Sequence, residues 1–393
     1  MQAAAIPDAP LRDPLSIQRI SLCDTFGRSF NLADALQDCI DRAAPGAILE
    51  LQPGVYELDR QLVVTKPLTI RTADDGTRGT CVDQPDRCAI LTAAPDLLVD
   101  NGVVLVASTR NVTLEHVVID GNRTARRSSI AAQFCLGGRT TIGFNAAVLE
   151  CTNCRLEDVV SRNALCGTAM AWSGRGAVIQ HNAFVANGDA STRGMWADGL
   201  TLLYAPDSEV RLNTLVDNTD VALILGYAAR SRVEKNYILQ SAQPAFAGLM
   251  LHNFGSDDVS FRGDFRDAVL TDNFVDCGAQ LCAFGIQVGP RPWDVTRNII
   301  GGDLHQNHVR GAMIGINADG AGTSRAPTRI FANDVSNVPA GEVFAGCPDP
   351  IPMVWMNISP TSAIDRHGEH IETAAQLSQR CELSPAAVVK RAD

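Results

Sequence analysis

Six asparagines along the chain sit in one apolar frame. An apolar residue stands three positions before each, and another stands two positions after it. The asparagines are Asn182, Asn213, Asn236, Asn273, Asn307 and Asn333. Ile179, Val210, Val233, Leu270, Leu304 and Ile330 lead them; Phe184, Leu215, Ile238, Val275, Val309 and Val335 trail them. Neighbouring asparagines are 31, 23, 37, 34 and 26 residues apart. A spacing in the twenties and thirties, with short apolar runs inside each unit, predicts stacked structural repeats. The runs alternate apolar and polar residues, as in VIQHNAFVAN and SRVEKNYILQS, and so read as strands. NVTLEHVVIDGN and NCRLEDVVSRN share the layout, with Glu115 and Glu157 at the asparagine position. The units lack the amphipathic stretches that helical repeats need. The predicted fold is all-β, a right-handed parallel β-helix with one coil per repeat. An asparagine at the same bend in successive coils is expected to hydrogen-bond its neighbours and to tolerate a left-handed backbone.

A second strand family follows each asparagine strand: GTAMAWSG, ADGLTLLY, DVALILGY, AGLMLHNF, FGIQVGPR and IGINADGAG. These near-continuous apolar runs predict one central parallel sheet. Residues 31–43 read as an amphipathic helix with Asn31 as N-cap. A helix there would cover the open end of the solenoid, whose bare strand edge would otherwise pair with other chains. The expected organisation is an extension over 1–30, a capped β-helix over 31–340 and a capping tail over 341–393, with a helix near 371–380. Insertions at 120–141, 187–197 and 253–266 exceed the coil length, and such connections tend to carry function.

A net charge of -11 argues against a nucleic-acid partner. No run of about 18 apolar residues exists for a membrane span. The twelve cysteines include the close pairs Cys23 and Cys39, Cys81 and Cys88, Cys151 and Cys154, and Cys277 and Cys282; Cys135, Cys166, Cys347 and Cys381 remain. An even count with local pairs predicts disulfides and a secreted or periplasmic location. The opening MQAAAIPDAP carries no apolar signal region, so a secretory signal is expected to have been removed. CTNC has metal-ligand spacing but no second pair near it, so no metal and no cofactor is expected.

Candidate chemistry lies on the second strand family. Aligned on Gly199, Val221, Gly248, Gly285 and Gly315, the preceding positions hold Asp198 and Asp220 on adjacent coils. Close carboxylates push their pKa values apart into one acid and one base, as glycosidic cleavage requires. Asp198 is the expected acid or nucleophile, with Asp220 or Glu209 as partner and His252 positioning substrate. The sheet face between residues 167 and 322 is the expected groove. Gln287, Asn317 and Asp319 are expected to bind substrate there, on an otherwise apolar sheet. Trp172, Trp196, Tyr204, Tyr227 and Trp293 are candidate sugar platforms. Arg230 and Arg291 suit bidentate contacts with acidic groups. Arg123, Arg126, Arg127 and Arg139 form a local basic patch for a sugar carboxylate or sulfate.

The helix LADALQDCIDRAAPGA, the strand ILELQPGVYEL and the later VVIDGN resemble the opening of β-helix proteins of the pectate lyase superfamily. The resemblance spans about 32–340 and implies a fold shared by hydrolases, lyases, epimerases, transferases and adhesins. WADG and NTD, with Asp198 and Asp220 22 residues apart, look like the catalytic spacing of polygalacturonases. The Gly-His-Gly and Arg-Ile-Lys segments of that family are missing here. DGLTLL with Glu209 eleven residues after Asp198 resembles inulin fructotransferase, which implies a site between subunits of a homotrimer. The expected function is cleavage or transfer at a glycosidic bond of a poly- or oligosaccharide. The rivals are a lyase or epimerase on uronic acids and a non-catalytic adhesive β-helix. A lysine base is all but excluded, since the only lysines are Lys66, Lys235 and Lys390.

Overall fold

The computed structural model of the protein describes residues 32–73, 80–254, 263–290 and 297–337, the short strands Arg19–Ile20, Met353–Val354 and Ala363–Ile364, and His367. Its strands stack in parallel, each on the equivalent strand one coil away, as Val178–Gln180 does on Glu209–Arg211. Each coil lays one strand in a ten-stranded sheet running from Leu62–Val64 to Met353–Val354. The rest of the coil forms a second strand system, bent at the asparagines. Inward residues from all faces merge into one core reaching from Ala33 to Ile330. The parallel β-helix is therefore as expected.

The asparagines hold the bend together. Asn182, Asn213, Asn236, Asn273, Asn307 and Asn333 form one side-chain ladder, each Nδ2 donating to the next Oδ1 at 2.8–2.9 Å. Each Nδ2 also donates to a main-chain carbonyl of the coil before, as Asn236 does to Val210 at 3.0 Å. The left-handed residue is not the asparagine but the one before it: His181, Leu212, Lys235, Asp272, Gln306 and Ala332 all have φ between 52° and 56°. Such backbone costs roughly 1–2 kcal/mol per residue, and the amide offsets this by pairing groups that the bend leaves over. Glu115 and Glu157 do not occupy the asparagine position. They stack in register with Gln180, two residues upstream, on the outer face. A second, shorter ladder joins Asn187 to Asn218 at 2.7 Å and Asn218 to Gln240.

The expected helix spans Leu32–Arg42 and buries Ala33, Leu36 and Ile40. Gln37 shows how it closes the end. Its Nε2 donates to the Val63 carbonyl at 3.0 Å and its Oε1 accepts the Val63 N–H at 2.8 Å. One amide thus imitates the strand missing beyond Leu62–Val64. The strand Arg19–Ile20 pairs with Ala47–Leu51 in the other strand system. Beyond 340 the stacking continues: Met353–Val354 pairs with Ile316–Asn317, and Ala363–Ile364 with Thr328–Arg329. The expected helix near 371–380 and the N-cap Asn31 lie outside the described residues.

Register in the ten-stranded sheet departs by one residue from the glycine alignment. Leu200 pairs with Leu223, Leu223 with Leu249, Leu249 with Ile286 and Ile286 with Ile316. The row beside them is therefore Gly199, Ala222, Gly248, Gly285 and Gly315, with Ala222 in place of Val221. In two later coils the row leaves no room for a side chain. A Cβ on Gly248 would lie 2.4 Å from Val275 Cγ1, and one on Gly285 2.2 Å from Val309 Cγ1. Val221 instead stands level with Asp198 and faces outward.

Replacing Asn236 with Ala should strand the buried Asn213 N–H and the Val210 carbonyl. At about 1–3 kcal/mol per buried unpaired group, the expected loss is about 2–5 kcal/mol in urea unfolding followed by circular dichroism. Asn333→Ala, at the partly exposed end of the ladder, should cost less; equal losses would contradict a cooperative ladder.

Candidate active site

Asp198 lies near the start of Ala197–Tyr204, and Asp220 immediately precedes Val221–Leu225, the next strand of the same sheet. The strand offset leaves Asp220 one residue upstream of exact register with Asp198. The two carboxyls are still close enough for the charge of Asp198 to act on Asp220. Both residues are partly buried. Burial pushes Asp198 up to about 6, against hydrogen bonds from the Thr201 hydroxyl at 2.6 Å and the Val221 N–H at 3.0 Å, which stabilise its anion. Burial pushes Asp220 well above the usual carboxylate range, and the neighbouring Asp198 charge pushes it further. The Thr168 hydroxyl stands 3.0 Å from that of Thr201. The outcome is an asymmetric acid pair: Asp220 is raised by burial and by its neighbour's charge, and Asp198 is held lower by its two hydrogen bonds. Trp196 stands two residues before Asp198, partly buried.

The remaining expected groove residues do not gather here. In the next coils the outward row becomes a closed apolar cluster of Val221, Ile224, Ala247, Met250, Phe284 and Ile314, all 1% exposed or less. Gln287 and Asn317 are buried in that region and bond to each other at 2.7 Å. Asp319 is fully buried, and His252 is buried with its ring edge-on to Phe254. The expected open face from 167 to 322 is thus corrected to a shorter stretch around Thr168, Asp198 and Asp220. Trp172 is fully buried in the solenoid core and presents no platform. Glu209 is exposed on the other strand system, paired with Arg211 at 3.4 Å, and is not brought to Asp198 within this chain. Tyr204 and Tyr227 pack together, ring centroids 4.9 Å apart. They sit at the far end of the strands, roughly 20 Å from Asp198 at the usual rise per residue. Arg230, beyond them, is held by Asp207 at 2.6 and 3.0 Å. Arg291 and Trp293 lie outside the described residues.

The arginine patch also separates. Arg126 is buried and donates to the carbonyls of Gly121, Leu97 and Ile142 at 3.2–3.3 Å, which ties down the insertion. Arg139 pairs with Asp100. Arg127 is exposed, and Arg123 is half-buried with its guanidinium on the Ala186 carbonyl. The insertion itself folds as the short helices Arg123–Arg126 and Ile130–Leu136. The disulfide Cys135–Cys166 pins it to the solenoid. The pairs Cys81–Cys88, Cys151–Cys154 and Cys277–Cys282 are bonded as expected, and Cys39 is also disulfide-bonded.

One cluster was not foreseen. At the asparagine bend, upstream of the ladder, the Nδ1 of His116 meets the carboxylate of Asp158 one coil away. A cavity of about 260 Å³ opens beside them, lined also by Arg71, Thr72, Glu115 and Glu157. The signal lay in LEHVV and LEDVV, where His116 and Asp158 hold equivalent places. A ring nitrogen of His116 and the sulfurs of Cys81 and Cys88 lie within 4.8 Å of one another. As a disulfide those sulfurs offer no thiolate ligands.

No family model matches the sequence, and no curated protein matches it. Solved structures do resemble the chain. The A-module of mannuronan C-5 epimerase AlgE4 from Azotobacter vinelandii is 12% identical, with a TM-score of 0.49, over 87% of this chain and 99% of that one. The family 28 exopolygalacturonase of Yersinia enterocolitica is 11% identical, with a TM-score of 0.48, over 80% of this chain and 63% of that one. Pectate lyase Pel9A is 11% identical, with a TM-score of 0.40, over 86% of this chain and 73% of that one. The chain's own strand pairing, parallel throughout and one coil apart, makes it a parallel β-helix protein, similar in fold to these pectate lyase, polygalacturonase and epimerase structures.

Proposed function

We propose that this protein is a carbohydrate-active enzyme that cleaves or transfers glycosidic bonds of a poly- or oligosaccharide. The observation that carries the reading is the asymmetric carboxyl pair, Asp198 and Asp220, on the partly open stretch of the ten-stranded sheet. Near neutral pH Asp198, at about 6, is mostly anionic; Asp220, raised well above the usual carboxylate range by burial and by the Asp198 charge, is the member that holds its proton more firmly. Asp220 then donates that proton to the departing glycosidic oxygen. Asp198 either attacks the anomeric carbon or takes a proton from the attacking water. Thr201 and the Val221 N–H hold the Asp198 carboxylate in place for either role. The disulfides suit an oxidising compartment, which supports a secreted or periplasmic protein. Among the described residues no helix is long and apolar enough to cross a membrane.

A polysaccharide panel assayed for reducing ends and for ultraviolet-absorbing unsaturated products tests the reaction class. New reducing ends without unsaturation are expected; unsaturated products would move the protein to the lyases. On the substrate so found, Asp198→Asn should lower turnover by about 10²–10⁴-fold, and undiminished turnover would reject the assignment. Thr201→Val removes a donor to the Asp198 anion. It should therefore move the acidic limb of the rate profile to higher pH, with Thr201→Ser restoring it.

The same carboxyl makes a stability prediction. Below about pH 4 Asp198 is protonated in folded and unfolded chains alike. As pH rises toward about 6, the unfolded chain ionises first, so folding loses stability across that window. Asp198→Asn should therefore melt higher than the parent at pH 7, with the difference shrinking toward pH 4. A difference that grows on acidification would show that the carboxylate stabilises the fold.

A further inference from the structure

The two oxygens of Asp198 have unlike partners. Oδ1 accepts the Val221 N–H at 3.0 Å, and a main-chain N–H cannot accept in return. A proton on this carboxyl therefore belongs on Oδ2, the oxygen that faces the Thr201 hydroxyl at 2.6 Å. Thr201 is 6% exposed and Thr168 is 2% exposed, so both hydroxyls find their partners inside the protein. Thr168 stands level with Asp198 on the preceding coil. Its hydroxyl lies 3.0 Å from that of Thr201 and 3.2 Å from the Met170 carbonyl.

These contacts form one chain, from Asp198 Oδ2 through Thr201 Oγ1 and Thr168 Oγ1 to the Met170 carbonyl. Each hydroxyl has one hydrogen to give and lone pairs that accept. When Asp198 is anionic, Oδ2 only accepts, so Thr201 donates to it and Thr168 donates to Met170. When Asp198 is protonated, Oδ2 donates to Thr201, Thr201 turns its hydrogen to Thr168, and Thr168 stays on Met170. Three hydrogens then fill three contacts, and a single hydroxyl has rotated. Without the Thr168 oxygen, the Thr201 hydrogen would be a buried donor with no acceptor in the protonated state, which is costly. Among the described residues, the ionisable group acting on Asp198 is Asp220 on the following coil. The strands on either side, Gly167–Ser173 and Val221–Leu225, carry no charged residue. On the loop before Asp198, Asp189 is engaged by Ser191 and Thr192, and Arg193 is exposed.

We propose that Thr168 is a positioning residue of the acid pair: it receives the Thr201 hydrogen whenever Asp198 holds a proton, so the carboxyl takes up and releases a proton with both buried hydroxyls still paired. Its part in catalysis rests on Asp198 and Asp220 being the acting acids.

The first measurement needs no substrate. In the intact protein the Asp198 ¹³Cγ is followed by NMR across its value of about 6, together with the ¹³Cβ of Thr168 and Thr201. Both threonine signals should titrate with the Asp198 midpoint. Thr168→Val removes the acceptor that serves the protonated state, and should lower that midpoint by about 0.5–1 pH unit; Thr168→Ser should restore it. Thr201→Val removes the donor to the anion and should raise it. Opposite shifts from two adjoining hydroxyls are not the mark of a merely structural role. In the double variant Thr168→Val/Thr201→Val the lowering should vanish, because the chain is already cut at Thr201. On a substrate, the acidic limb of kcat/KM should follow the midpoint to lower pH in Thr168→Val. The proposal is overturned if the Thr168 signal does not titrate with Asp198, if Thr168→Val raises the midpoint or leaves it in place, or if its lowering persists in the double variant. Shifts as expected, with turnover indifferent to Asp198→Asn, would uphold the hydroxyl chain and remove Asp198 from the chemistry.

Discussion

A buried amide passed from coil to coil fixes the height of each turn on the next, and the rest of the structure follows from that. In the ladder, Asn236 gives both Nδ2 hydrogens and receives at Oδ1 from its neighbour's side chain and main chain. A slip of one residue would leave several buried polar groups unpaired at about 1–3 kcal/mol each, so the register at the bend is strongly specified. The register then propagates along each coil, although connections differ greatly in length, because insertions are extruded as loops. The 37 residues between Asn236 and Asn273 stack as well as the 23 between Asn213 and Asn236.

That registration lets the chain set two carboxyls side by side and keep them there. Their repulsion and burial oppose folding near neutral pH, and neither acid has a cation among its perturbing partners. The fold tolerates this because the flanking coils supply what local pairing does not: a continuous core beneath, an apolar cluster on one side and the Thr168–Thr201 hydroxyl contact on the other. A stability cost concentrated at one polar spot, inside a scaffold held by repetition, is a common feature of functional sites.

The sequence made the repeat legible because identical bends need identical residues: six asparagines and a row of glycines in fixed apolar frames. The helix Leu32–Arg42 was legible for its amphipathic period. The exact register of the second strand family was not. Ala222 stands in the glycine row where Val221 was expected, and only the strand pairing shows it. The acid pair survived that shift because Asp220 is displaced by a single residue. Most of the expected groove did not survive, since a strand pattern says which residues face outward but not what covers them. Gln287 and Asn317 do face outward, yet they are buried. His116 with Asp158 was missed because the pairing spans 42 residues and uses an ordinary position of the bend.

Two aspartates nine residues apart show why position alone does not identify chemistry. Asp207 follows the same strand as Asp198, and each interacts with a neighbouring coil. Asp207 receives Arg230 at 2.6 Å and Arg175 at 2.5 Å, and these guanidiniums hold it down at about 2. It stays ionised throughout the physiological range and has no proton to exchange there. Asp198 has a hydroxyl and one main-chain N–H instead of cations, and burial lifts it to about 6. A group that changes charge near neutral pH, beside a second raised by burial and by that group's charge, meets the requirement for acid–base work. Exposed ion pairs such as Arg175–Asp207 add at most about 1 kcal/mol to stability. The difference between these two aspartates therefore lies in what each can do chemically, and it is set by which partners the coils bring to each.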